Sequence, residues 1–101
     1  MRLVMLLLVL TCWVMPTASV AAVDCSRAKE NLDKLICSNS RLSLAEEQMA
    51  ASYHAAMRRG VDLQMLQNTH IEWHEQVRNA CNDVPCLLRA FDDRSADLDN
   101  Y

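Results

Sequence analysis

The stretch "THIEWHEQVRNACNDVPCLLRAF", Thr69 to Phe91, decides the fold. It sets His70 and His74 four residues apart around Trp73, then Cys81 and Cys86 five apart. Three readings compete for it: a metal site, a redox site, or a helical hairpin closed by a disulfide. His70, Trp73, Val77 and Cys81 recur at steps of three or four, the period of one helix face. "NDVP" (82–85) interrupts that rhythm, with Asp83 near the cap and Pro85 at the first helical position of a new helix. The next stripe runs through Leu87, Phe91, Arg94, Leu98 and Tyr101. Cys81 therefore closes one helix and Cys86 opens another, and a bridge between them staples the corner.

The metal reading lacks ligands. Residues at i and i+4 share a helix face, which is the spacing of a zinc pair. Glu72, however, follows His70 by two and lies on another face, so "HIEWH" is not a metalloprotease arrangement. A third ligand would have to be His54 or a carboxylate, and no motif points to either. The plainer expectation is that His70 belongs to the buried stripe and His74 borders it. The redox reading is weaker still. Four residues separate Cys81 from Cys86, where thioredoxin-like sites have two, and no strand–helix–strand pattern surrounds them. No metal, cofactor or catalytic group is expected: the chain has no Ser-His-Asp order, no glycine-rich phosphate loop and no acid/base pair.

Upstream, Gly60 follows "MRR", which puts cations in a last helical turn before a residue free to take positive φ. The helix before it carries Leu42, Ala45, Met49, Tyr53 and Met57 on one face. Asn39 could cap it, or Ser43 with Glu46 could form a capping box; Leu42 in the stripe favours the earlier start. Beyond Gly60, Leu63 and Leu66 lead into His70. Before all this, "ENLDKLIC" (Glu30–Cys37) has room for about two turns, with Leu32, Leu35 and Ile36 inward. No strand pattern appears. The expected fold is all-α, a small disulfide-stapled bundle of one short helix and three longer ones. Tyr53, Trp73 and Phe91 are read as core, and Arg94 as laying its stem on the core and pairing its head with a carboxylate. The runs "AEEQ" and "FDDRSADLDN" read as solvated helix faces.

The N-terminal 22 residues read as a cleavable signal peptide: Arg2, an uncharged apolar run Leu3–Met15, a break at Pro16 and small residues "ASVAA" up to a cut after Ala22. The apolar run is too short to span a bilayer. Lipidation at Cys12 is disfavoured, because "VLTC" has Thr where a smaller residue is expected. One domain, 23–101, remains, and loss of Arg2 takes the net charge from −3 to −4. Its basic residues are dispersed, which argues against nucleic acid, and its acidity suits a basic protein partner. Cys25, Cys37, Cys81 and Cys86 survive processing. An even count in a short exported chain reads as a disulfide framework in a periplasmic or extracellular setting. Three connectivities are open. Local pairs, Cys25 with Cys37 and Cys81 with Cys86, are favoured. In one continuous helix, Cys25 and Cys37 would lie roughly 18 Å apart, so their pairing requires Ser26–Lys29 to run back non-helically.

These segments resemble the N-terminal domain family named after the lysozyme inhibitor LprI. The resemblance rests on Asp24-Cys25, Ile36-Cys37, Leu42 and Tyr53, then Trp73, Arg78-Asn79-Ala80-Cys81, Cys86-Leu87, Phe91, Arg94 and Leu98, in that order. It spans residues 24–98. The chain departs from the family pattern at Glu30-Asn31, Ala45, His70 and His74, which leaves the scaffold intact. The resemblance implies a bacterial envelope protein that binds and inhibits lysozyme, by occluding the cleft in which two carboxylates flank the sugar bond. It carries over scaffold positions and no inhibitory motif. The best-braced projection is the Cys81–Cys86 corner, so Asn82 and Asp83 are the expected partner contacts. The alternative is a periplasmic interaction or envelope-stress module with no lysozyme activity.

Overall fold

A computed structural model of the chain describes residues 24–27 and 30–101; the expected signal peptide and Cys12 lie outside the described residues. Among the described residues the fold is all-α, with no strand. A short 3₁₀ turn, Cys25–Arg27, precedes α1 (Asn31–Ser38), α2 (Ser40–Arg58), α3 (Leu63–Trp73), a π-helical turn His74–Arg78, and α4 (Val84–Asp99). That is the expected one short helix and three longer ones. No helix among these residues is long and apolar enough to cross a membrane.

Local chemistry sets each boundary. Asn39, extended at φ −121° and ψ 114°, accepts from the Arg41 and Leu42 N–H groups at 3.0 and 3.1 Å, which starts α2 at the earlier of the two sites considered. Gly60 ends α2 at φ +84°. The Val61 N–H reaches the Ala56 carbonyl at 3.2 Å and the Gly60 N–H reaches Met57 at 3.1 Å, the paired bonds of a Schellman motif. Asp62 then caps α3 through the Met65 N–H at 2.8 Å, a cap the sequence reading did not name. Asp83 caps α4 through the Cys86 N–H at 2.9 Å. Val84 is the first helical residue and Pro85 the second, one place later than expected. Pro85 still lies in the first turn, where its missing N–H costs nothing.

Both local disulfides are formed, with Cα–Cα separations of 5.6 Å for Cys25–Cys37 and 5.5 Å for Cys81–Cys86. The segment after Cys25 is not wholly non-helical as expected, since 25–27 make one 3₁₀ turn, held by Asp24 accepting from the Ser26 N–H and hydroxyl at 3.1 and 2.6 Å.

The main packing surface lies between α2 and α4. On α4, Leu87, Ala90, Phe91, Arg94 and Leu98 are buried, at offsets of three, four, seven and eleven from Leu87. Against them lie Leu42, Ala45, Met49, Tyr53 and Ala56 of α2 and Leu66 and Trp73 of α3. Burying each Leu or Phe contributes about 1.5–3 kcal/mol. Across the α1–α2 junction, the Ser43 hydroxyl donates to the Ile36 carbonyl at 2.8 Å. At the far end, Arg59 Nη2 donates to the Leu98 carbonyl at 2.8 Å.

The structure corrects several stripe positions. Met57 is exposed and Ala56 is fully buried, because the face advances three residues past Tyr53, not four, just before the turn. Leu63 is exposed at the first position of α3, leaving Leu66 as that helix's entry to the core. Glu46 of "AEEQ" is buried, since it lies four residues after Leu42 and seven before Tyr53 on the inward face; Glu47 and Gln48 are exposed as expected. The largest correction concerns Val77, which is 44% exposed while Arg78 is buried. The π-helical turn widens the step from Trp73 by one residue, so the inward position falls on Arg78.

Candidate functional site

Three residues expected in the core, Tyr53, Trp73 and Arg94, converge from α2, α3 and α4 on His70, and the fourth, Phe91, packs behind Trp73. The His70 ring lies 4.9 Å from the Tyr53 ring and stacks on Trp73 at 5.3 Å with an interplanar angle of 22°. Trp73 packs on Phe91 at 5.8 Å. Period-four spacing placed His70 on this face; nothing in the spacing identified it as the hub.

Arg94 is 97% buried, with a residual exposure of 3%. Its head does not pair with a carboxylate as expected. Nε donates to His70 Nδ1 at 3.3 Å, Nη1 to the Tyr101 hydroxyl at 3.3 Å and Nη2 to the Thr69 hydroxyl at 3.2 Å. The guanidinium also lies 5.9 Å from the centre of the Tyr101 ring. The Tyr101 hydroxyl donates onward to Thr69 at 3.3 Å, and Thr69 to the Leu66 carbonyl at 3.2 Å. Three neutral acceptors thus stand where one anion was expected, because the acidic side chains of this part of α4, Asp92, Asp93, Asp97 and Asp99, all lie on exposed positions.

The hydrogen bond from Arg94 fixes the His70 tautomer, with the acceptor at Nδ1 and the proton on Nε2. Burial, then Arg94, then His74 hold the His70 pKa down at about 4, so the ring is neutral at pH 7. His74 is exposed, and its pKa is also lowered, by partial desolvation first and then by Arg78. On the other side, burial raises the Tyr53 hydroxyl pKa, with Arg94 opposing. The Trp73 indole N–H is buried and has no hydrogen-bond partner among the described residues. A shallow groove of about 270 Å³ runs beside this cluster between α3 and α4, edged by Glu72, Gln76, Val77 and Asp97.

For the metal reading, His54 lies next to Tyr53 with ring centroids 6.1 Å apart, and His70 Nδ1 is taken by a cationic donor. Among the described residues, no group of three or more His, Cys, Asp or Glu side chains is placed to hold a metal ion.

A second polar site was missed. Arg78, with a side chain 7% exposed, donates Nη2 to Asp33 Oδ1 at 2.5 Å and Nη1 to Asn79 at 3.0 Å. This bond ties α1, and with it the Cys25–Cys37 staple, to the π-helical turn that leads into the Cys81–Cys86 staple. Helical period alone could not have found it, since the period favours Val77. The expected contact residues, Asn82 and Asp83, are both exposed at the braced corner. Asp83 Oδ1 is engaged as the α4 cap, which leaves the Asn82 side chain as the more available of the two.

Comparison with family models, with curated proteins and with solved structures returns no match for this chain.

Proposed function

We propose that the protein is an exported, disulfide-stapled helical binder of a basic protein partner in the bacterial envelope or its surroundings. A lysozyme inhibited by cleft occlusion is the leading candidate partner. The protein acts by binding and not by catalysis. The observation that carries this reading is the Cys81–Cys86 corner. A bridge across 5.5 Å fixes an exposed turn at the junction of two helices, and Asn82 projects from it on a backbone with little freedom to lose on binding. The resemblance of the sequence to the LprI-like family supports lysozyme as the partner, and the net charge of −4 expected after processing supports a basic one.

A peptidoglycan-turbidity assay with purified oxidised protein tests the proposal. Inhibition of a chicken-, goose- or invertebrate-type lysozyme at roughly micromolar protein, weakened by Asn82→Arg, is the expected result. No inhibition of any of the three classes removes the lysozyme reading. The alternative, an envelope interaction module, then stands only if a pull-down from periplasmic extract retains a resident partner.

A further inference from the structure

We propose that His70 is an acid-operated latch: its unprotonated Nδ1 accepts the Arg94 Nε–H and holds α3 against α2 and α4, and a proton on Nδ1 releases α3 as a unit. This device is independent of the identity of any partner. The geometry leaves no neutral route for the proton. Nδ1 is the acceptor for Arg94 Nε at 3.3 Å, so protonating it abolishes that hydrogen bond. It also sets an imidazolium beside a guanidinium that is itself buried.

The surroundings offer little compensation. From α4, His70 faces Arg94, with Tyr101 bonded behind it and Asp97 farther out along the groove. From α2 it faces the Tyr53 ring, with His54 beyond and buried Glu46 two turns earlier on the same face. On its own segment the charged or titratable neighbours are Glu72 and His74. Among the described residues no carboxylate lies within ion-pair distance of His70. The low pKa of the ring, about 4, agrees with that resistance to a proton.

Among the described residues α3 also carries no disulfide and no ion pair. α1 is held by the Cys25–Cys37 bridge, by Ser43 on the Ile36 carbonyl and by the Asp33–Arg78 pair. α3 is held in the core by Leu66, His70 and Trp73 and by Thr69 on the Arg94 network. The Gly60 turn and the π-helical turn lie at its two ends and serve as hinges.

Hydrogen–deuterium exchange of the oxidised protein at pH 7 and pH 4, corrected for intrinsic exchange rates, tests the latch. Protection over 63–73 should fall roughly tenfold between the two pH values and at pH 4 lie below that over 42–56 and 87–98. His70→Gln, which keeps an acceptor but does not titrate, should remove most of that fall. Equal protection in every helix at pH 4, or the same fall in H70Q, overturns the proposal. Should H70Q fail to fold, the native protein still decides the matter by ¹⁵N NMR. The latch requires His70 as the Nε2–H tautomer at pH 7 and a ring titration coincident with the shifts of the α3 amides. An Nδ1–H tautomer, or midpoints that do not coincide, overturns it.

Discussion

Replacing Asp33 with Ala tests the π-helical turn and the buried ion pair together. Arg78 is buried at 7% side-chain exposure and Asp33 is 28% exposed. Removing one partner of a fully buried pair costs about 3–5 kcal/mol, because it strands a charge away from water. Asp33 is partly solvated and Asn79 still accepts from Arg78, so the expected loss is nearer 2 kcal/mol. The exposed Arg27–Asp24 pair, with side chains 85% and 59% accessible, is the internal control, and Arg27→Ala, which leaves the Asp24–Ser26 bonds in place, should cost less than about 0.5 kcal/mol. Val77→Ala should likewise cost no more than about 0.5 kcal/mol, since the side chain is 44% exposed. Urea unfolding of the oxidised protein, followed by circular dichroism at constant slope, gives each value. A cycle with Arg78→Met and the double variant isolates the pair, with a coupling of about 1–2 kcal/mol expected. A costly Val77→Ala beside a near-neutral Asp33→Ala would refute the reasoning, because it would place Val77 inward on an uninterrupted α-helix.

Asn39→Ala removes both acceptor bonds that start α2 and should cost about 1 kcal/mol, while Asn39→Asp should be nearly neutral; denaturant midpoints check this. Gly60→Ala meets no atom within 4 Å, so its cost of about 1 kcal/mol comes from the backbone at φ +84° alone, and Gly60→Asn should recover part of it. Stability should also depend on pH through His70. Its pKa is about 4 folded and about 6.5 unfolded, so between those values the unfolded chain binds the proton and the folded chain does not. Stability is therefore full above about pH 6.5, falls as pH drops through that window and levels off below about 4. Because the ring is partly exposed, the loss should be about 1–2 kcal/mol, less than the whole shift would imply. Unfolding curves from pH 7.5 to 4 should show this fall in native protein and a smaller one in H70Q.

Much of the fold is legible in the sequence because short-range chemistry writes it. The period of Leu87, Phe91, Arg94 and Leu98, the caps Asn39 and Asp83 and the stop at Gly60 are properties of a few adjacent residues, and they hold. Local disulfide pairing follows from the same reasoning, since a corner between Cys81 and Cys86 brings their Cα atoms to 5.5 Å. What was not legible depends on distant neighbours. One residue of extra width at 74–78 turns Val77 out and Arg78 in, and the carboxylate of Asp33, 45 positions away, gives the buried Arg78 an ion-pair partner. The acceptors of Arg94 have the same character: Thr69 and His70 come from another helix, so an isolated stripe suggested a carboxylate that the fold does not supply. Glu46 failed for the opposite reason. Its charge outweighed its position, although that position lies squarely on the α2 stripe.

Two short-span disulfides brace a bundle too small to be secure on its own. In the chain-entropy treatment the twelve-residue span contributes about 3 kcal/mol and the five-residue span about 2 kcal/mol. A thermal melt monitored by circular dichroism, with and without full reduction, measures this directly. The expected outcome is a Tm lower by roughly 20 °C or more in the reduced protein. A Tm and a helical spectrum unchanged by reduction would contradict the account.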